Sequence, residues 1–111
     1  MDKLNILWTT DNKEVFLNML SMYAINSKKE EWWKNVNLII WGPSARLTGE
    51  DSEIQTEIFE MLNNGITIEA CKDCCDNYGV TEKLEMFGIH MHYMGKPLTD
   101  YIKNNEKILT F

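Results

Sequence analysis

The sequence has no surplus of positive charge. Its 111 residues contain 11 Lys and Arg against 17 Asp and Glu, which gives a formal net charge of -6 at pH 7. Phosphate backbones and anionic lipid surfaces repel a chain of this charge. We therefore expect neither nucleic acid nor a membrane as a partner.

Long apolar runs and a secretory start are also missing. No run approaches the roughly 18 apolar residues that a membrane helix needs, and the first residues lack the basic start, apolar stretch and cleavage site of a signal peptide. We therefore expect a cytoplasmic protein, in which thiols stay reduced. The chain has 3 cysteines, and in that compartment clustered cysteines are more often catalytic or metal-binding than bridged.

Internal repeats and low-complexity segments are absent as well. The length and the 44% hydrophobic content suit one globular domain, residues 1–111, with a single core. The stretch from Gly42 to Arg46 lacks the pattern of a Walker loop or a dinucleotide fingerprint. We therefore expect no nucleotide, flavin or other cofactor.

The chain instead alternates short apolar runs with helical patterns. Strands are predicted from Lys3 to Thr9, Val36 to Trp41, Ile66 to Ala70, Ile89 to Tyr93 and Lys107 to Thr110. Helices are predicted from Lys13 to Asn26, Asp51 to Asn64 and Leu98 to Asn104, with one or two more between Asp73 and Phe87. Turns are expected at Gly42 to Ser44 and at Gly95 to Pro97. This order predicts an α/β fold, a three-layer α/β/α sandwich around a mainly parallel five-stranded sheet.

Three segments of this fold should meet at one edge of the sheet. In parallel sheets, ligands and reactive groups gather beyond the carboxyl ends of the strands. The segments that follow the first three strands are residues 9–12, 42–46 and 71–75. The last of them holds every cysteine of the chain.

The stretch ACKDCCDNYG, residues 70–79, contains these cysteines. Cys71 should lie at the start of a helix, where the helix dipole and free N–H groups favour thiolate over thiol. Lys72 and, if the loops converge, Arg46 add positive charge, whereas Asp73 opposes it. The alternative from the residues alone is that Cys71 is a small buried hydrophobe that ends a strand.

Three stretches of the chain resemble one known family. They are IIWGPSARL, GITIEACKDCCDNYGV and the ending YMGKPLTDYIKNNEKILTF, and they are similar to the DsrE family, the DsrE/DsrF-like group that includes subunits of sulfur-relay complexes. The resemblance implies a Rossmann-like five-stranded domain that assembles into trimers, hexamers or hetero-oligomers. It also implies a persulfide-carrying cysteine after the third strand, which here is Cys71. Cys74 and Cys75 have no counterpart in the best-understood relay subunits.

The leading hypothesis is therefore sulfur transfer through Cys71, which would take sulfur from a donor persulfide and pass it to an acceptor thiol. Arg46 is the candidate to assist the anion. Ser44 and Tyr78 are candidates to supply a hydrogen bond. Sulfur donor and acceptor proteins, together with copies of the chain itself, are the expected partners.

Three alternatives remain open from the sequence. Cys71 and Cys74 have the C-x-x-C spacing of a redox dithiol. The three cysteines with His90 or His92 are a conceivable set of metal ligands. The chain is also a candidate for a non-catalytic subunit, since the first long helix has a wide apolar stripe and the connector KKEEWWKN places Trp32 beside Trp33.

Overall fold

The computed structural model describes residues 2–111. Its strands are β1 (Lys3–Trp8), β2 (Asn35–Ile40), β3 (Thr67–Cys71), β4 (His90–His92) and β5 (Lys107–Thr110). They form one sheet in the order β4-β3-β2-β1-β5, and every neighbouring pair is parallel. The predicted five-stranded parallel sheet is confirmed.

Helices connect these strands. They are α1 (Lys13–Val15), a π-helical segment (Phe16–Leu20), α2 (Ser21–Lys29), α3 (Pro43–Glu50), α4 (Ser52–Asn63), α5 (Lys72–Tyr78), α6 (Thr81–Met86) and α7 (Gly95–Lys103). The first three run on without a break, so residues 13–29 form one long helix with a π-helical turn inside it. None of the helices in residues 2–111 has the length and apolarity to span a membrane.

The strand order determines which face each helix covers. The strands β1 to β4 follow one another across the sheet in one direction, so right-handed crossovers put α1 to α6 on one face. The chain then crosses back from β4 to β5 at the other edge, which places α7 on the opposite face. The three-layer sandwich is confirmed, but its second helical layer contains a single helix.

The main core lies under the thicker layer. The inward side chains of β1, β2 and β3 pack there against the long helix and α4, with Ile6, Leu38 and Ile68 on the sheet and Phe16 and Ile58 on the helices, all without exposed surface. Burial of this apolar area supplies the main favourable free energy of the fold.

The apolar stripe of the long helix extends beyond this core. Met19 and Met22 are 57% and 56% exposed, and Trp32 is 58% exposed just after the helix. Trp33 packs against the main core instead. The two adjacent indoles therefore point in different directions.

Two predicted turns are wrong. Residues 43–50 form helix α3, which begins immediately after Gly42 with Pro43 in its first turn, a position that proline tolerates because no N–H is needed there. The predicted turn from Gly95 to Pro97 is the first turn of α7. Arg46 therefore lies on a helix and not in a loop.

Candidate active site

Cys71 lies where the sequence predicts it, at the carboxyl edge of the sheet. It is the last residue of β3 and the N-cap of α5, with extended backbone angles of φ -69° and ψ 116°, and its side chain makes no capping hydrogen bond. The residue is only 5% exposed, and its thiol belongs to a small apolar cluster with Ile39 and Met94. Leu98 of α7 also packs against this cluster.

Cys74 is the more accessible neighbour of this thiol. It is half-buried, and its Sγ accepts a hydrogen bond from the backbone N–H of Gly42 over 3.3 Å. Burial raises the pKa of Cys74, a hydrogen bond with the Cys71 thiol raises it further, and the Gly42 N–H acts in the opposite direction. Cys74 also packs against the apolar cluster that contains Cys71, so the two cysteines are neighbours and a backbone donor points at one of them.

Cys75 belongs to the main core. It has no exposed surface, and burial, followed by repulsion from Cys71 and Cys74, raises its pKa to about 12. A thiol in this state is protonated and shielded, so Cys75 is not a candidate nucleophile.

The three predicted segments do meet at this edge. Besides the contact from Gly42 to Cys74, the Ser44 N–H donates to the Thr9 carbonyl over 3.2 Å. The Arg46 guanidinium pairs with Asp11 over 2.7 Å. The loops therefore converge, but the structure gives Arg46 a carboxylate partner at the surface.

The other two predicted supporting residues have different surroundings. Ser44 is fully buried, and its hydroxyl donates to the Trp8 carbonyl over 2.6 Å, which joins the start of α3 to the end of β1. Tyr78 ends α5, about 10 Å along the helix axis from Cys71 at a rise of 1.5 Å per residue. Its ring faces the Arg46 guanidinium at 6.0 Å.

The histidines of β4 do not form a metal site with the cysteines. Within residues 2–111, no three His, Cys, Asp or Glu side chains come close enough together to hold a metal ion. His90 and His92 share one face of β4, with their rings 6.5 Å apart.

A polar layer under α7 was missed by the sequence analysis. Its centre is Glu69, whose Oε2 accepts hydrogen bonds from Asn37 over 2.8 Å and from the Tyr101 hydroxyl over 2.7 Å. Asn37 also donates to Asn5 and accepts from Thr67. The signal in the sequence is a single carboxylate within the apolar strand segment ITIEAC.

This layer contains two carboxylates, Glu69 and Glu106. Burial, hydrogen bonding to Glu69 and the charge of that carboxylate raise the pKa of Tyr101. Next to β1 and β5, burial tends to raise the pKa of Glu106, but hydrogen bonds from Asn5 and Lys3 outweigh it and lower the pKa overall. The sheet face that carries Cys71 is therefore polar along much of its length and apolar only around the thiol.

Comparison with solved structures finds two matches. The first is a conserved protein of unknown function, BT1422 from Bacteroides thetaiotaomicron, with 59% sequence identity and a TM-score of 0.97 over 99% of this chain and 95% of that one. The second is the ychN protein from E. coli, which has the DsrE-like fold, with 18% identity and a TM-score of 0.74 over 100% of both chains. No protein-family model and no curated protein matches the sequence.

Proposed function

Because this chain belongs to the same family as BT1422 and has the DsrE-like fold, we propose that it is a sulfur carrier, a sulfurtransferase subunit that holds a persulfide on Cys71. The observation that carries the proposal is the contact of two thiols at the carboxyl edge of a parallel sheet. Cys71 ends β3, and Cys74, which packs against the same apolar cluster, accepts a hydrogen bond from Gly42.

The proposed reaction uses only thiol chemistry. The Cys71 thiolate attacks the outer sulfur of a donor persulfide, R–S–SH, and a new S–S bond forms as the S–S bond of the donor breaks. The donor leaves as a thiolate and takes up the proton that Cys71 lost, so the products are Cys71–S–SH and R–SH. The acceptor thiolate then attacks the outer sulfur and releases Cys71 as a thiolate.

Access to Cys71 requires the apolar cover to open. Met94 and Leu98 pack over the thiol from the start of α7, and α7 has no fully buried residue. An element with so little burial has a low free energy of local opening. The proposal therefore assigns the entry of sulfur to the side of the sheet that α7 covers.

Loading with a low-molecular-weight persulfide tests the proposal. After removal of the excess donor, cyanide converts bound sulfane sulfur to thiocyanate, which is then counted. We expect about one sulfur per chain in the wild type and in Cys74→Ser, and a near-complete loss in Cys71→Ser. Equal sulfur in Cys71→Ser and the wild type would contradict the assignment.

A redox dithiol is the second candidate function. The packing of Cys74 against the apolar cluster that contains Cys71 favours it, because two cysteines must lie close together before a disulfide can form without a large backbone shift. Mild oxidation with diamide should then give a reversible bond between these two residues. If both thiols stay free under diamide while Cys71 still takes up persulfide, the redox dithiol function is wrong and only the carrier function remains.

We further propose that copies of the chain pack against one another through the α2 face, defined as Met19, Met22, Tyr23 and Trp32. These four large apolar side chains are exposed in the single chain, and apolar and aromatic side chains are typical of the centre of protein interfaces.

The partners in the proposed reaction are sulfur donor and acceptor proteins. The proposal places the chain in the cytoplasm, where cysteines stay reduced.

A further inference from the structure

Alternation along β3 puts a carboxylate on the same side of the sheet as the Cys71 thiol. Successive side chains of a strand point to opposite faces, so Glu69 and Cys71 share the face under α7. Ala70, between them, belongs to the main core on the other face. The contact of Glu69 with Tyr101 and the packing of Cys71 against Leu98 agree, since both partners come from α7.

The register with β4 adds an imidazole to this pair. Glu69 is paired with His90 and Cys71 with His92 in the parallel ladder, and neighbouring strands lie about 4.8 Å apart. The Nε2 atom of His92 lies 3.4 Å from Oε1 of Glu69, so His92 also projects from the face under α7. A thiol, an imidazole and a carboxylate therefore occupy adjacent positions at the end of β3 and β4.

The carboxylate in this group is held in place from two other elements. Asn37 of β2 and Tyr101 of α7 both donate to Oε2 of Glu69, which leaves Oε1 directed at His92. The Glu69 side chain is 12% exposed, whereas that of His92 is 45% exposed. A fixed carboxylate beside a more exposed imidazole is an arrangement that orients a histidine for proton transfer.

We propose that His92 accepts the proton of the Cys71 thiol and that Glu69 is the positioning residue for His92. The inference rests on the proposed function and names the base that the persulfide transfer uses. The proton moves from Sγ of Cys71 to the imidazole, which gives a thiolate and an imidazolium beside the Glu69 carboxylate. After the donor S–S bond breaks, the imidazolium returns this proton to the departing donor thiolate, R–S⁻, so atoms and charge balance.

The charged and titratable groups around His92 come from each neighbouring element. Glu69 and Cys71 lie on β3, His90 lies with His92 on β4, and Tyr101 on α7 reaches the site through Glu69. From α5, the Lys72 ammonium lies 6.0 Å from the ring of Tyr93, the residue after His92. Glu69 is the carboxylate paired with the imidazole, with its Oε1 atom 3.4 Å from Nε2 of His92.

The rate of Cys71 alkylation by iodoacetamide, measured against pH in the intact protein, tests this inference. Trypsin cuts after Lys72, so Cys71 is reported by the peptide 47–72 and the other two cysteines by the peptide 73–83. The variant is His92→Gln, which keeps a hydrogen-bond donor for Glu69 but cannot take up a proton. The matched control is His90→Asn, which changes the other exposed histidine on the same face of the same strand.

We expect His92→Gln to slow Cys71 alkylation about tenfold at pH 7. At about pH 9.5 its rate should lie within about twofold of the wild-type rate, because hydroxide then removes the proton without a protein base. Glu69→Gln should give a smaller fall, about threefold, with the same pH pattern, and His90→Asn should match the wild type. An equal loss at both pH values would mean that His92 only shapes access, and an unchanged profile would overturn the inference outright.

Alkylation does not depend on a sulfur donor, so the two proposals fail separately. If Cys71 takes no persulfide while its alkylation still depends on His92, the carrier function is wrong and the base assignment stands. If Cys71 takes persulfide with the same alkylation profile in His92→Gln, the carrier function stands and the base assignment is wrong.

Discussion

The backbone N–H of Gly42 donates a hydrogen bond to Sγ of Cys74 across 3.3 Å, joining the start of α3 to the first turn of α5. Gly42 has φ 79° and ψ -144°, a conformation open essentially to glycine alone. The glycine therefore both permits the turn after β2 and aims a donor at the cysteine segment.

Gly42→Ala should lower the free energy of unfolding by about 1–3 kcal/mol because of this backbone strain. The nearest atom to an added Cβ is the Thr9 carbonyl oxygen at 3.7 Å, so strain and not a clash is the cause. Urea denaturation measures the change. Gly95→Ala, which meets nothing within 4 Å and has no positive φ, is the control and should be neutral or slightly stabilising. Equal stability of Gly42→Ala and the wild type would contradict the strain argument.

The buried Cys75 thiol should make the free energy of unfolding fall as the pH rises above 9. Its pKa is about 12 in the fold against 9.0 for an ordinary cysteine, so above pH 9 the unfolded chain loses a proton that the folded chain keeps. The stability due to this thiol is complete below pH 9 and falls by about 1 kcal/mol per pH unit between 9 and 12.

The measurement is urea denaturation of the wild type and Cys75→Ala at about pH 8 and about pH 11. The wild type should lose its advantage over the variant as the pH rises. Since Tyr101 titrates equally in both proteins, its contribution cancels in the difference. A constant difference between the two proteins would show that the Cys75 thiolate is tolerated in the core.

Asn37 should be the most sensitive polar residue of the layer under α7. It is 3% exposed and bonds with Asn5, Glu69 and Thr67, so Asn37→Ala leaves buried polar groups without partners. We expect a loss of about 1–3 kcal/mol in urea denaturation. Asn35→Ala, an exposed position two residues earlier on the same strand, should stay within about 0.5 kcal/mol. Similar losses at both positions would argue against a cooperative polar layer.

The α2 face should determine the oligomeric state. Met22→Lys places a charge among exposed apolar side chains, and we expect it to dissociate the assembly, since a buried unpaired charge in an interface is costly. Size-exclusion chromatography with light scattering gives the mass. Met86→Lys is the control, because Met86 is 86% exposed on α6, and it should leave the assembly intact. A wild type that is monomeric at tens of micromolar would contradict the proposal.

Much of the fold follows from the sequence because apolar runs report burial directly. The run VNLII is buried on both faces of β2, and the helical spacing of Ile54, Ile58 and Met61 matches the buried side of α4. The sequence did not predict helix α3, because its N-cap residue, Gly42, has no side chain to cap the helix. Its first residues, Pro43 and Ser44, are equally typical of a turn.

Only part of the candidate site could be predicted from the sequence. The position of Cys71 at the end of a strand can be read from its neighbours, but its burial depends on α7, which lies more than twenty residues later in the chain. Glu69 and His92 become neighbours of the thiol through the pairing of β3 with β4. A single sequence does not specify that register.

The central claim is that Cys71 carries sulfur, and mass spectrometry of the loaded wild type tests it most directly. After loading with a low-molecular-weight persulfide, all sulfurs are blocked by alkylation and the chain is cut with trypsin at Lys72. We predict one additional sulfur atom on the peptide 47–72, which contains Cys71 as its only cysteine. Additional sulfur only on the peptide 73–83, or on neither peptide, would contradict the account.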